Sequence, residues 1–145
     1  MILPDVNVLI YAHREESPEH PAYARWLQRL AMGDEPFALS ELALSAVVRI
    51  VTNPKIFRTP TPLPSALEFV EELIGCSHVV RLRPGSRHFE LFTQLCRAAE
   101  TRSKLVADAY HAALAIEHGC EFVTTDADFA RFPGLRWSHP LRQGQ

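Results

Sequence analysis

Short apolar segments alternate along the chain with longer segments of helical periodicity. The first, residues 1–12, is interrupted only by Pro4, Asp5 and Asn7, and it predicts a buried strand that leads into a short helix. Open α/β sheets bind their ligands outside the carboxyl ends of the strands. Asp5 stands at such an end and is the first candidate for an active-site residue, although it could instead only cap the following helix.

Four further apolar segments predict strands, and helical segments separate them. Strands are expected at 36–39, 79–82, 121–125 and 135–137, and the main helices at 41–52, 65–75, 88–102 and 105–119, with another from about residue 19. Strands that alternate with helices indicate a three-layer α/β/α sandwich with a mainly parallel central sheet of four to five strands. A chain of 145 residues fits one such domain over its full length, 1–145.

The composition is that of a soluble globular protein, with 47% apolar and 22% charged residues. The chain has no apolar segment of membrane length, and Pro4 and Asp5 do not fit a secretory signal, so we expect a cytoplasmic protein. Cys76, Cys96 and Cys120 are too widely spaced to suggest zinc or a disulfide framework. A net charge of −2 is not that of a basic protein that binds nucleic acid through its overall charge, so any contact with nucleic acid has to be local.

The acidic residues supply the candidate chemistry. Asp5, Glu41, Asp108 and Asp126 each stand at the end of a predicted strand or the start of a helix, and Asp128 follows closely. One sheet edge could gather all of them, but their charges would repel one another unless a cation lay among them. Oxygen ligands without closely spaced cysteine or histidine favour Mg²⁺ or Mn²⁺ over zinc. For Glu41 the alternative is a structural role, because an acid in the first turn interacts favourably with the helix dipole.

A divalent ion, or a pair of ions, can deprotonate a water and stabilise the leaving oxygen of a phosphodiester without a protein nucleophile. The acidic pattern therefore predicts metal-dependent phosphodiester hydrolysis. In this hypothesis Asn7 orients Asp5 or a water, and Thr124 or Thr125 forms a hydrogen bond with Asp126.

Three segments of the chain resemble the PIN-domain ribonucleases, and among them the VapC toxins of bacterial toxin–antitoxin pairs. Residues 3–9 are similar to the family's first strand with its Asp-x-Asn sequence, and residues 106–119 to the helix that carries its third acid. Residues 122–129 are similar to the closing Thr-x-Asp-x-Asp-Phe motif. The three segments occur in the family's order and together span nearly the whole chain.

The resemblance implies a Mg²⁺- or Mn²⁺-dependent endoribonuclease that forms a homodimer, cuts structured RNA such as tRNA or rRNA, and is inhibited by an antitoxin. It assigns the catalytic role to Asp5, Glu41, Asp108 and Asp126, and metal binding to Asp5, Asp108, Asp126 and Asp128. The family's second acid usually lies near the positions of Ser45 and Ala46 in this chain. Glu41 stands one helical turn before Ser45 on the same polar stripe, from which its side chain could reach the same place.

Two other enzyme classes carry an aspartate after their first strand. Dehalogenase-type phosphatases need a second aspartate where this chain has Asn7, and response-regulator receivers need a lysine at a strand end, where neither Lys55 nor Lys104 is predicted. A catalytically silent PIN-like module that binds RNA or protein is the alternative from a different class. The set of acids argues against such a module, because a silent domain has no reason to tolerate their repulsion.

Basic residues near the predicted site give a weaker signal. Those that could contact phosphate are Arg49, Lys55, Arg58, Arg102 and Lys104, although surface arginines are usually only solvated. The seven histidines, His13 and His111 among them, show no metal-binding spacing, and we assign them no catalytic role.

Overall fold

The computed structural model describes residues 1–142, within which the chain forms five strands, six α-helices and one 3₁₀-helix. The strands are β1 (Ile2–Pro4), β2 (Phe37–Ser40), β3 (Val79–Leu82), β4 (Glu121–Val123) and β5 (Trp137–Ser138). The helices are α1 (Val6–His13), α2 (His20–Met32), α3 (Glu41–Val51), α4 (Leu63–Ile74), α5 (His88–Ala98) and α6 (Lys104–Glu117), and the 3₁₀-helix spans Ala127–Arg131.

The five strands form one parallel sheet in the order β3-β2-β1-β4-β5. Strand β1 is therefore central, with β2 on one side and β4 on the other. From β1 the chain continues to β2 and β3 on one side and then crosses to β4 and β5 on the other, which creates a crevice at the carboxyl ends of β1 and β4. The predicted parallel sheet and the sandwich fold are confirmed.

Successive side chains of each strand point to opposite faces of the sheet, so the apolar core is divided into one part on each face. Phe37 and Leu39 pack on one face with α1 to α4, whereas Ala38 packs on the other face with α5 and α6. Phe37 is fully buried, and removing such a side chain from water stabilises the fold by roughly 1.5–3 kcal/mol. The two cores fix the strand ends, and hence the residues that follow them, relative to α3 and α6.

Local signals in the sequence place several helix ends. The hydroxyl of Ser40 accepts a hydrogen bond from the backbone N–H of Ala43 at 3.2 Å, as expected of an N-cap. Gly119 follows α6 with φ of +67°, a conformation that favours glycine. Helix α4 begins at Leu63, before the expected 65–75, because Pro64 lies in its first turn, where its missing N–H costs no hydrogen bond.

The three cysteines are free thiols, and Cys120 is buried while Cys76 and Cys96 are half-buried. Within residues 1–142, no helix is long and apolar enough to cross a membrane.

Candidate active site

Asp5 lies directly after β1, and its buried carboxylate has two hydrogen-bond donors. Oδ1 accepts from the backbone N–H of Val6 at 2.7 Å, and Oδ2 accepts from the hydroxyl of Thr124, also at 2.7 Å. Burial raises the pKa of Asp5, and the hydrogen bond from Thr124 partly opposes that rise. Asp5 therefore does cap α1, as the structural alternative expected, but the same carboxylate also faces the other acids of the site.

Asp108 and Asp126 approach Asp5 from the other half of the sheet. Asp108 lies in α6 and is 8% exposed, and Asp126 follows β4, where it caps the 3₁₀-helix. Asp5, Asp108 and Asp126 line one cavity of about 200 Å³ at the carboxyl ends of β1 and β4. Three acids that are far apart in the sequence are thus brought together by the order of the strands.

Thr124 joins two of these acids through one hydroxyl group. It is fully buried at the end of β4, donates to Asp5, and accepts from the backbone N–H of Asp126 at 3.1 Å. Of the two threonines considered from the sequence, the structure thus selects Thr124 over Thr125. Its contact with Asp126 is to the backbone and not to the carboxylate.

Lys104 provides the cation nearest to the acids. Its Nζ donates to Oδ2 of Asp108 at 3.1 Å and to Oδ2 of Asp126 at 2.8 Å. The hydrogen bond to Asp126 is the main cause that raises the pKa of Lys104, so its ammonium group remains charged at neutral pH. Burial would raise the pKa of Asp126, but the bonds from Lys104 and from the backbone N–H of Asp128 outweigh it and lower that pKa.

Glu41 does not lie with the three aspartates, contrary to the expectation from the sequence. Its carboxylate pairs at the surface with Arg81 at 2.5 Å and with Arg83 at 2.6 Å, and these two arginines lower the pKa of Glu41, Arg83 more strongly. Instead, Ala46 and Arg49 of α3 line the cavity. Glu41 and Ala46 are five residues apart, so their side chains leave the helix roughly 140° apart at 3.6 residues per turn.

Asp128 is also outside the cavity, although it was expected to bind metal. Its side chain is exposed, with Oδ1 at 3.8 Å from Nε of Arg131. Its backbone N–H donates to Oδ1 of Asp126 at 2.9 Å, so the residue supports Asp126 through the main chain. Asp128 lies within the 3₁₀-helix, whereas Asp126 caps its start.

His111 and Lys104 belong to the cavity lining, together with Arg49 and Asn7. The sequence analysis gave His111 no role and considered Lys104 only as a weak phosphate contact. The spacing could have found both, because Lys104 stands at i−4 and His111 at i+3 relative to Asp108, on one face of α6. Burial lowers the pKa of His111, with Asp5 and Asp108 opposing that shift.

The donor set of the cavity suits a hard divalent ion. Mg²⁺ is usually bound through one or two carboxylates together with waters and substrate phosphate, and three carboxylates exceed that requirement. As the side chains stand in residues 1–142, no three acidic, histidine or cysteine groups converge closely enough to enclose a metal ion. The ammonium of Lys104 lies between two of the carboxylates instead.

Comparison with known proteins agrees with this fold and site. The model of the PIN domain matches residues 2–135. Ribonuclease VapC43 of Mycobacterium tuberculosis is 43% identical over 141 residues, which cover 97% of this chain and 96% of that protein. Ribonuclease VapC25 of the same organism is 40% identical over 140 residues, with coverage of 97% and 99%. The chain therefore belongs to the PIN-domain family, and within it to the VapC-type toxins, as the three sequence segments indicated.

A solved structure supports the fold independently. The crystal structure of VapBC2 from Rickettsia felis, bound to a DNA fragment from their promoter, superposes with a TM-score of 0.69 at 19% identity. The match covers 96% of this chain and 98% of that one.

Proposed function

We propose that this protein is the toxin of a toxin–antitoxin pair and a Mg²⁺- or Mn²⁺-dependent endoribonuclease. The main support is the convergence of Asp5, Asp108 and Asp126 on one cavity at the switch point of the sheet. The relatives named as ribonucleases, which align over nearly the full chain, support the same activity.

The three aspartates would hold the ion, and Asp128 and Glu41 would not contact it. When bound, a divalent ion acidifies a water to form the nucleophile and stabilises the charge that develops on the phosphate and the leaving oxygen. Asp5 is held in one orientation by its bonds to Val6 and Thr124, so its carboxylate is preorganised for this role.

Positive groups in the cavity would position the RNA backbone. The guanidinium of Arg49 and the ammonium of Lys104 line the cavity beside the acids. A local pair of cations can bind phosphate although the chain carries a net charge of −2. Structured RNA such as tRNA or rRNA remains the proposed substrate class, on the basis of the family resemblance.

The proposal also includes an antitoxin partner, a homodimer and a cytoplasmic location. The Rickettsia felis structure is named as a VapBC complex with promoter DNA, which supports an antitoxin partner for this chain as well. The homodimer rests on the family resemblance, and the cytoplasmic location is the expectation from the sequence.

Cleavage of total RNA and tRNA by the purified protein tests the proposed activity. The wild type is incubated with Mg²⁺, Mn²⁺ or EDTA beside Asp5→Asn, which keeps a side chain able to cap α1. We expect cleavage with either ion, none with EDTA and none in the variant. RNA that is bound but left intact under all conditions would favour the silent binding module, and cleavage by the variant at the wild-type rate would exclude this cavity as the active site.

A further inference from the structure

Lys104 lies between two of the carboxylates that the proposed metal site uses. It is the first residue of α6, and its ammonium reaches Asp108 one turn further along that helix and Asp126 beyond β4. In both contacts it is Oδ2 of the aspartate that accepts the hydrogen bond. One flexible cation thus links two carboxylates that come from different elements.

Without a bound metal, the carboxylates of the cavity repel one another unless positive side chains lie among them. Three carboxylates line the cavity, and its other ionisable lining groups are Arg49, Lys104 and His111. Lys104 and Arg49 are the two lining side chains that carry a full positive charge at neutral pH. Of these, Lys104 is the one with ion-pair distances to Asp108 and Asp126.

The same contacts are weak enough to be exchanged. The side chain of Lys104 is 67% exposed, whereas those of Asp108 and Asp126 are 11% and 21% exposed. The ammonium is a compact charge on a four-carbon stem and can move into solvent while the aspartates stay in place. Because the lysine end of each pair is open to solvent, the pairs are screened by water, and a stronger cation can replace the ammonium group.

We propose that Lys104 is a tethered counter-ion that holds Asp108 and Asp126 together in the metal-free protein and competes with the divalent ion for these two carboxylates. This inference rests on the metal site of the proposed function. It assigns Lys104 a positioning role that limits the affinity for metal and spares the metal-free fold from the repulsion of its acids.

Mn²⁺ binding measures this competition without reference to RNA cleavage. Free Mn²⁺ is followed by electron paramagnetic resonance in titrations of wild type, Lys104→Gln and Lys104→Met. Both variants remove the charge, and methionine retains an aliphatic stem, so at least one is expected to fold. Lys55→Gln is the matched control, because Lys55 is the other lysine of the chain and lies exposed outside the cavity.

We expect both Lys104 variants to bind Mn²⁺ roughly 3- to 10-fold more tightly than the wild type, and Lys55→Gln to match the wild type. We also expect a lower melting temperature for the Lys104 variants without metal, with the deficit removed at saturating Mn²⁺. Equal or weaker Mn²⁺ binding by the Lys104 variants would overturn the counter-ion role and leave the proposed nuclease standing. Absence of Mn²⁺ binding in all four proteins would contradict the metal site itself.

Discussion

Replacing Thr124 by valine would remove the hydroxyl that joins Asp5 to the strand beside it, while the shape of the side chain is kept. The variant loses a hydrogen bond to the Asp5 carboxylate and another from the backbone N–H of Asp126. A hydrogen bond to a charged group contributes about 1.5–3 kcal/mol and a neutral one about 0.5–1.5 kcal/mol. Asp5 is only 7% exposed and cannot replace the lost donor with bulk water. We therefore expect the free energy of unfolding to fall by about 3 kcal/mol.

Urea denaturation of the metal-free protein measures this loss as a lower midpoint at unchanged slope. Thr125→Val is the matched control, because Thr125 is half-buried and makes no side-chain hydrogen bond within residues 1–142. A change at a partly exposed side chain without such a bond should alter stability by less than about 0.5 kcal/mol. Thr124→Ser keeps the hydroxyl and should recover most of the loss.

The same substitution should also weaken metal binding. The hydrogen bond from Thr124 lowers the pKa of Asp5, so its removal raises that pKa further and favours the protonated carboxyl, which is a poorer ligand. If Thr124→Val unfolds at the wild-type urea concentration, or if Thr125→Val is equally damaging, the hydroxyl does not organise the site as described.

Three further outcomes follow from the structure. Glu41→Gln should leave RNA cleavage unchanged, because the Glu41 carboxylate pairs with surface arginines. A loss of cleavage comparable to that of Asp5→Asn would show that Glu41 is an active-site residue. Burial raises the pKa of Asp5 above its ordinary value of 3.8, so the folded state favours the protonated carboxyl. The free energy of unfolding of the metal-free protein therefore falls as the pH rises from about 4 through the raised pKa. Metal-free Asp5→Asn should then melt above the wild type at neutral pH and lose that advantage in acid, and a difference independent of pH would contradict the assignment. Gly119→Ala should lower the free energy of unfolding by about 1–2 kcal/mol in urea denaturation, because φ at this position is +67°. An added Cβ would meet nothing within 4 Å, so the loss comes from the backbone alone, and an unchanged midpoint would argue against that conformation.

The sequence was sufficient for the sheet and for three of the acids. Asp5 and Asp126 follow apolar segments that predict buried strands, and Asp108 stands near the start of an alanine-rich helix. In a parallel sheet the residues that follow adjacent strands, here β1 and β4, lie at the same edge. The pattern therefore predicts the convergence without any knowledge of individual contacts.

Glu41 was misplaced because its neighbours come from a distant segment. Arg81 and Arg83 belong to β3 and the loop that follows it, and only the pairing of β2 with β3 brings them to the start of α3. Arg49, two turns after Glu41 on the same polar stripe of α3, lines the cavity together with the apolar Ala46, whereas Glu41 pairs with arginines at the start of the helix. Long-range ion pairs of this kind leave no local signal in the sequence.

Asp126 and Asp128 offer the most direct test of the proposed nuclease site, because two chemically identical residues two positions apart are placed inside and outside the cavity. The measurement is the rate of Mg²⁺- or Mn²⁺-dependent cleavage of total RNA by wild type, Asp126→Asn and Asp128→Asn, with EDTA as the blank. We predict that Asp126→Asn abolishes cleavage and that Asp128→Asn cuts at close to the wild-type rate. Cleavage that survives in Asp126→Asn, or that is lost only in Asp128→Asn, would contradict the site built from Asp5, Asp108 and Asp126.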